Sequence, residues 1–142
     1  MSGVLLDTHA LYWLVSGAKP LAAEALVAIG ESQAIGKLFV SPVTAWELSI
    51  AARKPTHKDP PRLETSVAQW FGAALRATSA KVIPIGLKIA IEAAEVPLVT
   101  GHKDPGDCYL MATSRVRKIP IVTRDPIIAR LSAGGYLDVI AC

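Results

Sequence analysis

Val4-Leu5-Leu6-Asp7 is a run of three apolar residues that stops at a carboxylate, and Ile121-Val122-Thr123-Arg124-Asp125 does the same near the other end of the chain. Short apolar runs bounded by turn or capping residues read as buried strands. Leu38-Phe39-Val40, ending at Ser41-Pro42, and Val82-Ile83-Pro84-Ile85 read as two more. A last strand over 136–140 is expected at a sheet edge. Pro120 argues that the start of the fourth run lies outside the ladder, because proline cannot donate to it.

The segments between these runs have helical spacing. Residues 10–15 give a first turn or more, and Pro20 suits the opening of a helix that Gly30 would stop. Ser41 as N-cap and Pro42 at the first position open another through Ile50, ended by Lys54-Pro55. Residues 56–61, with two prolines, read as a loop. Residues 66–78 place Val67, Trp70, Phe71, Ala74 and Leu75 on one helical face. A helix over 87–94 is expected to stop before Pro97. Asp107 begins one to about Val116, and 126–131 give a short last one.

The order is therefore β-α-α-β-α-α-β-α-α-β-α-β, with no internal repeat, low-complexity tract or linker. Strands separated by helices imply an α/β fold with a central, mainly parallel sheet of about five strands covered on both faces. The 142 residues fit one domain, 1–142, and 51% hydrophobic content with 19% charged excludes a disordered chain. Cys108 and Cys142 make neither a disulfide framework nor a zinc spacing, which points to a reduced, cytoplasmic setting. The N-terminus lacks a signal-peptide pattern, and no run approaches the ~20 apolar residues that cross a bilayer. The net charge of +3 permits a nucleic-acid partner without requiring one.

In open parallel sheets the functional site lies beyond the carboxyl ends of the strands. Asp7 and Asp125 sit directly after the first and fourth strands, and Glu47 lies about one and a half turns into the helix after the second. Asp107 starts a helix behind the turn-rich Thr100-Gly101-His102-Lys103-Asp104-Pro105-Gly106. Each acid has a plain structural reading. Asp7 and Asp125 would serve as N-caps, Asp107 as a first-turn acid on a helix dipole, and Glu47 as a partner of Arg53 or a solvent-facing group. Their convergence on one sheet edge is what these readings leave unexplained. Clustered carboxylates need a cation, and an oxygen-only set without histidine or cysteine suits Mg²⁺ or Mn²⁺. Such a site serves phosphodiester hydrolysis.

Four segments resemble the PIN-domain nucleases, and within them the VapC-type toxins of toxin–antitoxin pairs. They are Val4-Leu5-Leu6-Asp7-Thr8-His9, Ser41-Pro42-Val43-Thr44-Ala45-Trp46-Glu47-Leu48, His102 to Asp107 with Leu110-Met111-Ala112-Thr113-Ser114, and Ile121-Val122-Thr123-Arg124-Asp125. The resemblance implies a Rossmann-like sandwich and a Mg²⁺- or Mn²⁺-dependent endoribonuclease that leaves a 5′-phosphate and a 3′-hydroxyl. It also implies an RNA substrate, a cognate VapB-like antitoxin and a homodimer. Asp7, Glu47, Asp107 and Asp125 match the acidic quartet, and Thr123 the hydroxyl position before the last acid. Thr8 and Asp104 stand as supporting residues. Arg53, Lys54, Lys103 and Arg124 are weak candidates for substrate contact, with Arg53 and Lys54 opening the densest basic stretch, 53–62. Two positions depart from the pattern: relatives often carry a bulky apolar residue where Gly106 stands and arginine where Cys108 stands.

Two other readings compete. One is a metal-binding module that binds RNA or protein without turnover. The other is a receiver-like signalling domain, which also groups acids at strand ends but carries a lysine late in the chain after a strand; here Lys118 precedes Ile119.

Overall fold

A computed structural model describes residues 2–53, 61 and 63–142. In chain order the elements are β1 (Val4–Leu6), α1 (Thr8–Ser16), α2 (Ala23–Ala34), β2 (Leu38–Val40), α3 (Pro42–Arg53), α4 (Val67–Thr78), β3 (Lys81–Val82), α5 (Leu87–Thr100), α6 (Pro105–Arg117), β4 (Ile121–Thr123), α7 (Pro126–Ala133) and β5 (Val139–Ala141). All strand pairs are parallel, and the sheet order is β3-β2-β1-β4-β5. The expected element order and the edge position of β5 are both present.

Alternation along the strands divides the apolar residues between two cores, as the period of two demands. Val4 and Leu6 of β1, Leu38 and Val40 of β2, and Val122 of β4 face a core completed by Leu11, Ala25, Ile29 and Ala74 from α1, α2 and α4. Leu5 and Ile121 face the opposite core with Val43, Ile89, Val96, Leu110, Met111 and Ile128 from α3, α5, α6 and α7. Val4, Leu5, Leu6, Ile121 and Val122 have no exposed surface at all. Burial on both faces is why these strands read as continuous apolar runs.

Several boundaries differ from the sequence reading. Pro20 does not open α2: the helix starts at Ala23, and Ala22 is an extended N-cap without a side-chain bond. Gly30 does not stop it either, because Ala28, Ile29 and Ser32 hold that face in the core through to Ala34. Pro97 does not end α5, which runs on to Thr100. A helical proline gives up its own N–H bond and crowds the carbonyl four residues back, but Val96 beside it is fully buried and holds the turn in the core, and Gly101 closes the last turn by donating from its N–H to the Pro97 carbonyl. β3 is shorter than expected and stops before Pro84, although the Ile83 N–H still bonds the Val40 carbonyl at 2.9 Å. β5 begins at Val139, not Tyr136. α6 begins at Pro105, two residues early, because Asp104 acts as its N-cap.

The chain builds β1, β2 and β3 outward in one direction, then returns to lay β4 on the other side of β1. The reversal between β1 and β4 is a topological switch point, which opens a crevice at the carboxyl ends of the two strands.

Candidate metal centre

Asp7 follows β1 and is 7% exposed. It is the N-cap of α1: Oδ1 accepts from the Ala10 N–H at 2.8 Å, while Oδ2 accepts from the Thr123 hydroxyl at 2.5 Å. Thr123, the last residue of β4, also accepts at Oγ1 from the Asp125 N–H at 3.1 Å, so one hydroxyl ties the first and fourth acidic segments together. Asp125 caps α7, with Oδ1 accepting from the N–H groups of Ile127 and Ile128. The capping readings of Asp7 and Asp125 and their place beside the crevice therefore hold together. A cap needs a carboxylate at a helix N-terminus, and the switch point directs those N-termini to one edge.

Glu47 reaches the same crevice from the second turn of α3. Thr8 donates to its Oε1 at 2.5 Å, and Thr44 Oγ1 lies 3.2 Å from the Thr8 hydroxyl. Arg53 is not its partner; the Arg53 Nε–H goes to the Ser49 carbonyl at 3.0 Å. Gly106 makes room for it. A Cβ on Gly106 would lie 2.3 Å from Glu47 Oε2 and 2.5 Å from its Cδ. The departure at 106 is thus the space into which the Glu47 carboxylate fits.

Asp104 accepts at Oδ2 from the Asp107 N–H at 3.0 Å, and Asp107 Oδ2 lies 2.8 Å from His102 Nε2. Cys108, at the other departure, is buried and its thiol faces the His102 carbonyl at 3.3 Å. Ligand atoms of Glu47, Asp104 and Asp107 all lie within 4.8 Å of one another, a spacing that one ion can span. Asp104, a supporting residue in the sequence reading, belongs to this tightest group, whereas Asp7 and Asp125 flank it. Asp7, Thr8, His9, Trp13, Glu47, Asp104, Asp107, Leu110, Arg124 and Asp125 line a single cleft of about 430 Å³. Arg53 and Lys103 lie outside its lining, and Lys54 lies outside the described residues, as do 55–60 and Arg62 of the basic stretch.

The electrostatics match a cation-binding cluster. Burial pushes the Asp7 carboxyl up, against the Thr123 and Ala10 hydrogen bonds that pull it down. Burial is also the main cause that raises Glu47, to about 7, with Asp107, Asp104 and Asp7 adding repulsion. Asp107 is raised by burial, then by Asp104 and Asp125, with the His102 bond opposing. Each acid feels others in the set, and a divalent cation relieves that repulsion. Every offered atom in the tight group is a carboxylate oxygen, the donor type that hard divalent ions prefer.

Two roles are not legible in the sequence. His102 stands in the turn-rich loop before α6, and its ring holds the Asp107 carboxylate. Thr44 has only one signal, its place one turn before Glu47 on the same helical face.

The model of the PIN domain family matches residues 4–134. No curated protein sequence matches the chain significantly. Among solved structures, it is similar to a chain of DNA-bound VapBC from Salmonella typhimurium, at 16% identity and TM-score 0.66 over 99% of this chain and 98% of that one. VapBC-5 from Mycobacterium tuberculosis is similar at 18% identity and TM-score 0.64, over the whole of both chains. FitAcB from Neisseria gonorrhoeae is similar at 21% identity and TM-score 0.56, over 96% of each. At these identities the likeness establishes a shared fold. With a family match across nearly its whole length and acidic segments gathered at the switch point, the chain belongs to the PIN domain family.

Proposed function

We propose that this protein is a divalent-metal-dependent endoribonuclease, the toxin of a toxin–antitoxin pair acting in the cytoplasm. The convergence of five carboxylates on one cleft carries the reading. Asp7, Glu47, Asp107 and Asp125 would hold Mg²⁺ or Mn²⁺ directly or through water, with Asp104 added to the set because it shares the tightest group. When bound, the ion supplies positive charge to the phosphoryl oxygens and acidifies the attacking water.

The protein's own groups fix the carboxylates before substrate arrives. Thr123 orients Asp7, Thr8 orients Glu47, and His102 orients Asp107, so little reorganisation accompanies binding. The charge balance suits a polyanion. Removing the five cleft acids from the 12 in the chain leaves seven, set against 15 lysines and arginines.

Leu87, Ile91 and Leu98 lie on one face of α5 and are 78%, 56% and 79% exposed, which supports a homodimer joined through this helix. An apolar groove of about 380 Å³, lined by Pro42, Val43, Trp46, Ile85, Pro105 and Tyr109, offers a VapB-like antitoxin a place to bury an apolar segment. The similar structures include VapBC complexes, which agrees with such a partner. Among the described residues no helix is long and apolar enough to cross a membrane.

RNA cleavage with Mn²⁺ that is lost in Asp7→Asn, with folding intact, is the expected result. Asparagine preserves the α1 cap, so an inactive but folded variant isolates the charge. Cleavage by Asp7→Asn at the wild-type rate would overturn the mechanism. Metal-dependent RNA binding without turnover by the wild type would favour the binding-module reading.

A further inference from the structure

One wall of the cleft is cationic and aromatic. Arg124 follows β4, is exposed, and lines the cleft beside five carboxylates, yet it pairs with none of them: among the described residues the ion pairs are His102–Asp107 and Glu92–Arg115. It is held elsewhere. Its Nη2 donates to the Pro20 carbonyl at 2.8 Å and to a main-chain oxygen of Cys142, the last residue, at 2.5 Å, and its guanidinium carbon lies 4.4 Å from the centre of the Trp13 ring. Those bonds use both Nη2 hydrogens, and the Cys142 thiol also lies against the guanidinium, which leaves the remainder of the fork for another acceptor. The exposed His9 ring sits 5.4 Å from the Trp13 ring, tilted 33°, and Lys19 Nζ lies 5.3 Å from the same indole.

An arginine in an anionic cleft would ordinarily fold onto a carboxylate and cancel it. Here the Pro20 carbonyl, the main-chain oxygen of Cys142 and an indole face brace it, so it stays off the five cleft carboxylates and much of its side-chain entropy is given up before any ligand binds. The ligand that fits is an anion with paired oxygens, which the guanidinium fork grips with parallel hydrogen bonds. Held in the same cleft as the carboxylates, that anion is a neighbour of the group at the acids, as successive phosphates of one strand are.

We propose that Arg124, braced over Trp13, is a phosphate clamp for an RNA strand crossing the cleft, with the His9 ring as the face on which an adjacent base stacks. This rests on the ribonuclease reading.

The test measures binding of a short fluorescein-labelled single-stranded RNA by anisotropy, with Ca²⁺ in place of Mn²⁺, at several salt concentrations. Arg124→Gln is expected to weaken binding about tenfold or more and to reduce the salt slope by about 0.7, the value for one fewer neutralised phosphate on a single strand. Arg124→Lys keeps the slope but binds several-fold more weakly, because it loses the fork. His9→Ala weakens binding at an unchanged slope. Mn²⁺ affinity, measured by calorimetry, is unchanged in all three. An Arg124→Gln variant with wild-type affinity and slope, from a protein that cleaves RNA, overturns the clamp alone. Equal losses in Arg124→Gln and Arg124→Lys with the slope intact reduce Arg124 to a brace and also overturn it. A wild type that neither binds nor cleaves RNA overturns the nuclease reading and the clamp together.

Discussion

Replacing Gly106 with alanine is expected to disarm the metal centre while leaving the fold standing. The new Cβ would lie 2.3 Å from Glu47 Oε2, 2.5 Å from Cδ and 3.1 Å from Cγ. Ordinary carbon–oxygen contact needs about 1 Å more than the shortest of these. The atoms in the way are the far end of a flexible side chain, so Glu47 swings aside and the backbone of α6 stays in place. That motion lengthens the 2.5 Å bond from Thr8 and takes a carboxylate out of the group shared with Asp104 and Asp107. Disturbing the contacts that orient a ligand costs about 10–100-fold in metal affinity, and displacing the ligand costs at least that much. Stability moves by no more than about 1 kcal/mol, since alanine's better helix propensity offsets part of the crowding. Calorimetric titration with Mn²⁺ reads the affinity, and thermal melting without metal reads the fold. Wild-type Mn²⁺ affinity in a folded Gly106→Ala protein would refute the placement of Glu47. A collapse of the melting transition would show that the crowding falls on the backbone.

Three further outcomes follow from the same geometry. Burial and neighbouring carboxylates hold Glu47 at about 7, above the 4.5 of a free glutamate, and Asp7 and Asp107 shift the same way. The metal-free fold therefore keeps a proton that the unfolded chain releases. The stability this contributes is full below pH 4.5 and is lost as pH rises through 7, by about 2 kcal/mol for Glu47 after allowance for solvent. Urea melts at pH 5 and pH 8 with chelator check it. Saturating Mn²⁺ reverses the trend, because the ligands must be deprotonated to bind, so affinity climbs with pH through 7. Thr123→Val removes the hydroxyl that serves both Asp7 and Asp125, costs about 1–3 kcal/mol in denaturant unfolding, and lowers cleavage. Leu98→Glu puts a charge on the exposed face of α5 and shifts sedimentation toward a monomer, with Mn²⁺ affinity unchanged.

The fold is legible where burial leaves a period in the chain. Strands such as Val4–Leu6 and Ile121–Thr123, covered on both faces, carry few polar residues and so announce themselves. Boundaries set by tertiary packing leave no local mark. Nothing near Gly30 states that Ser32 will be buried, and nothing near Pro97 states that Val96 will anchor the turn beyond it. The acids at strand ends are legible because chain order and the switch-point rule place Asp7 and Asp125 at one edge. The distances within the cluster are not. Asp104 joins the tight group because α6 starts two residues early, which draws it in as a cap and brings its carboxylate to Glu47 and Asp107. The Gly106 departure has no explanation in the sequence, since its reason is a side chain 59 residues earlier in the chain.

A crystal of the wild-type protein soaked in Mn²⁺, with the ion located by its anomalous signal, tests the central claim most directly. The expected result is an ion in the cleft within bonding distance, about 2.0–2.3 Å, of oxygens from Glu47, Asp104 or Asp107, with Asp7 and Asp125 reaching it directly or through water. A cleft that stays free of Mn²⁺ at saturating concentration, with the carboxylates protonated or paired among themselves, would contradict it.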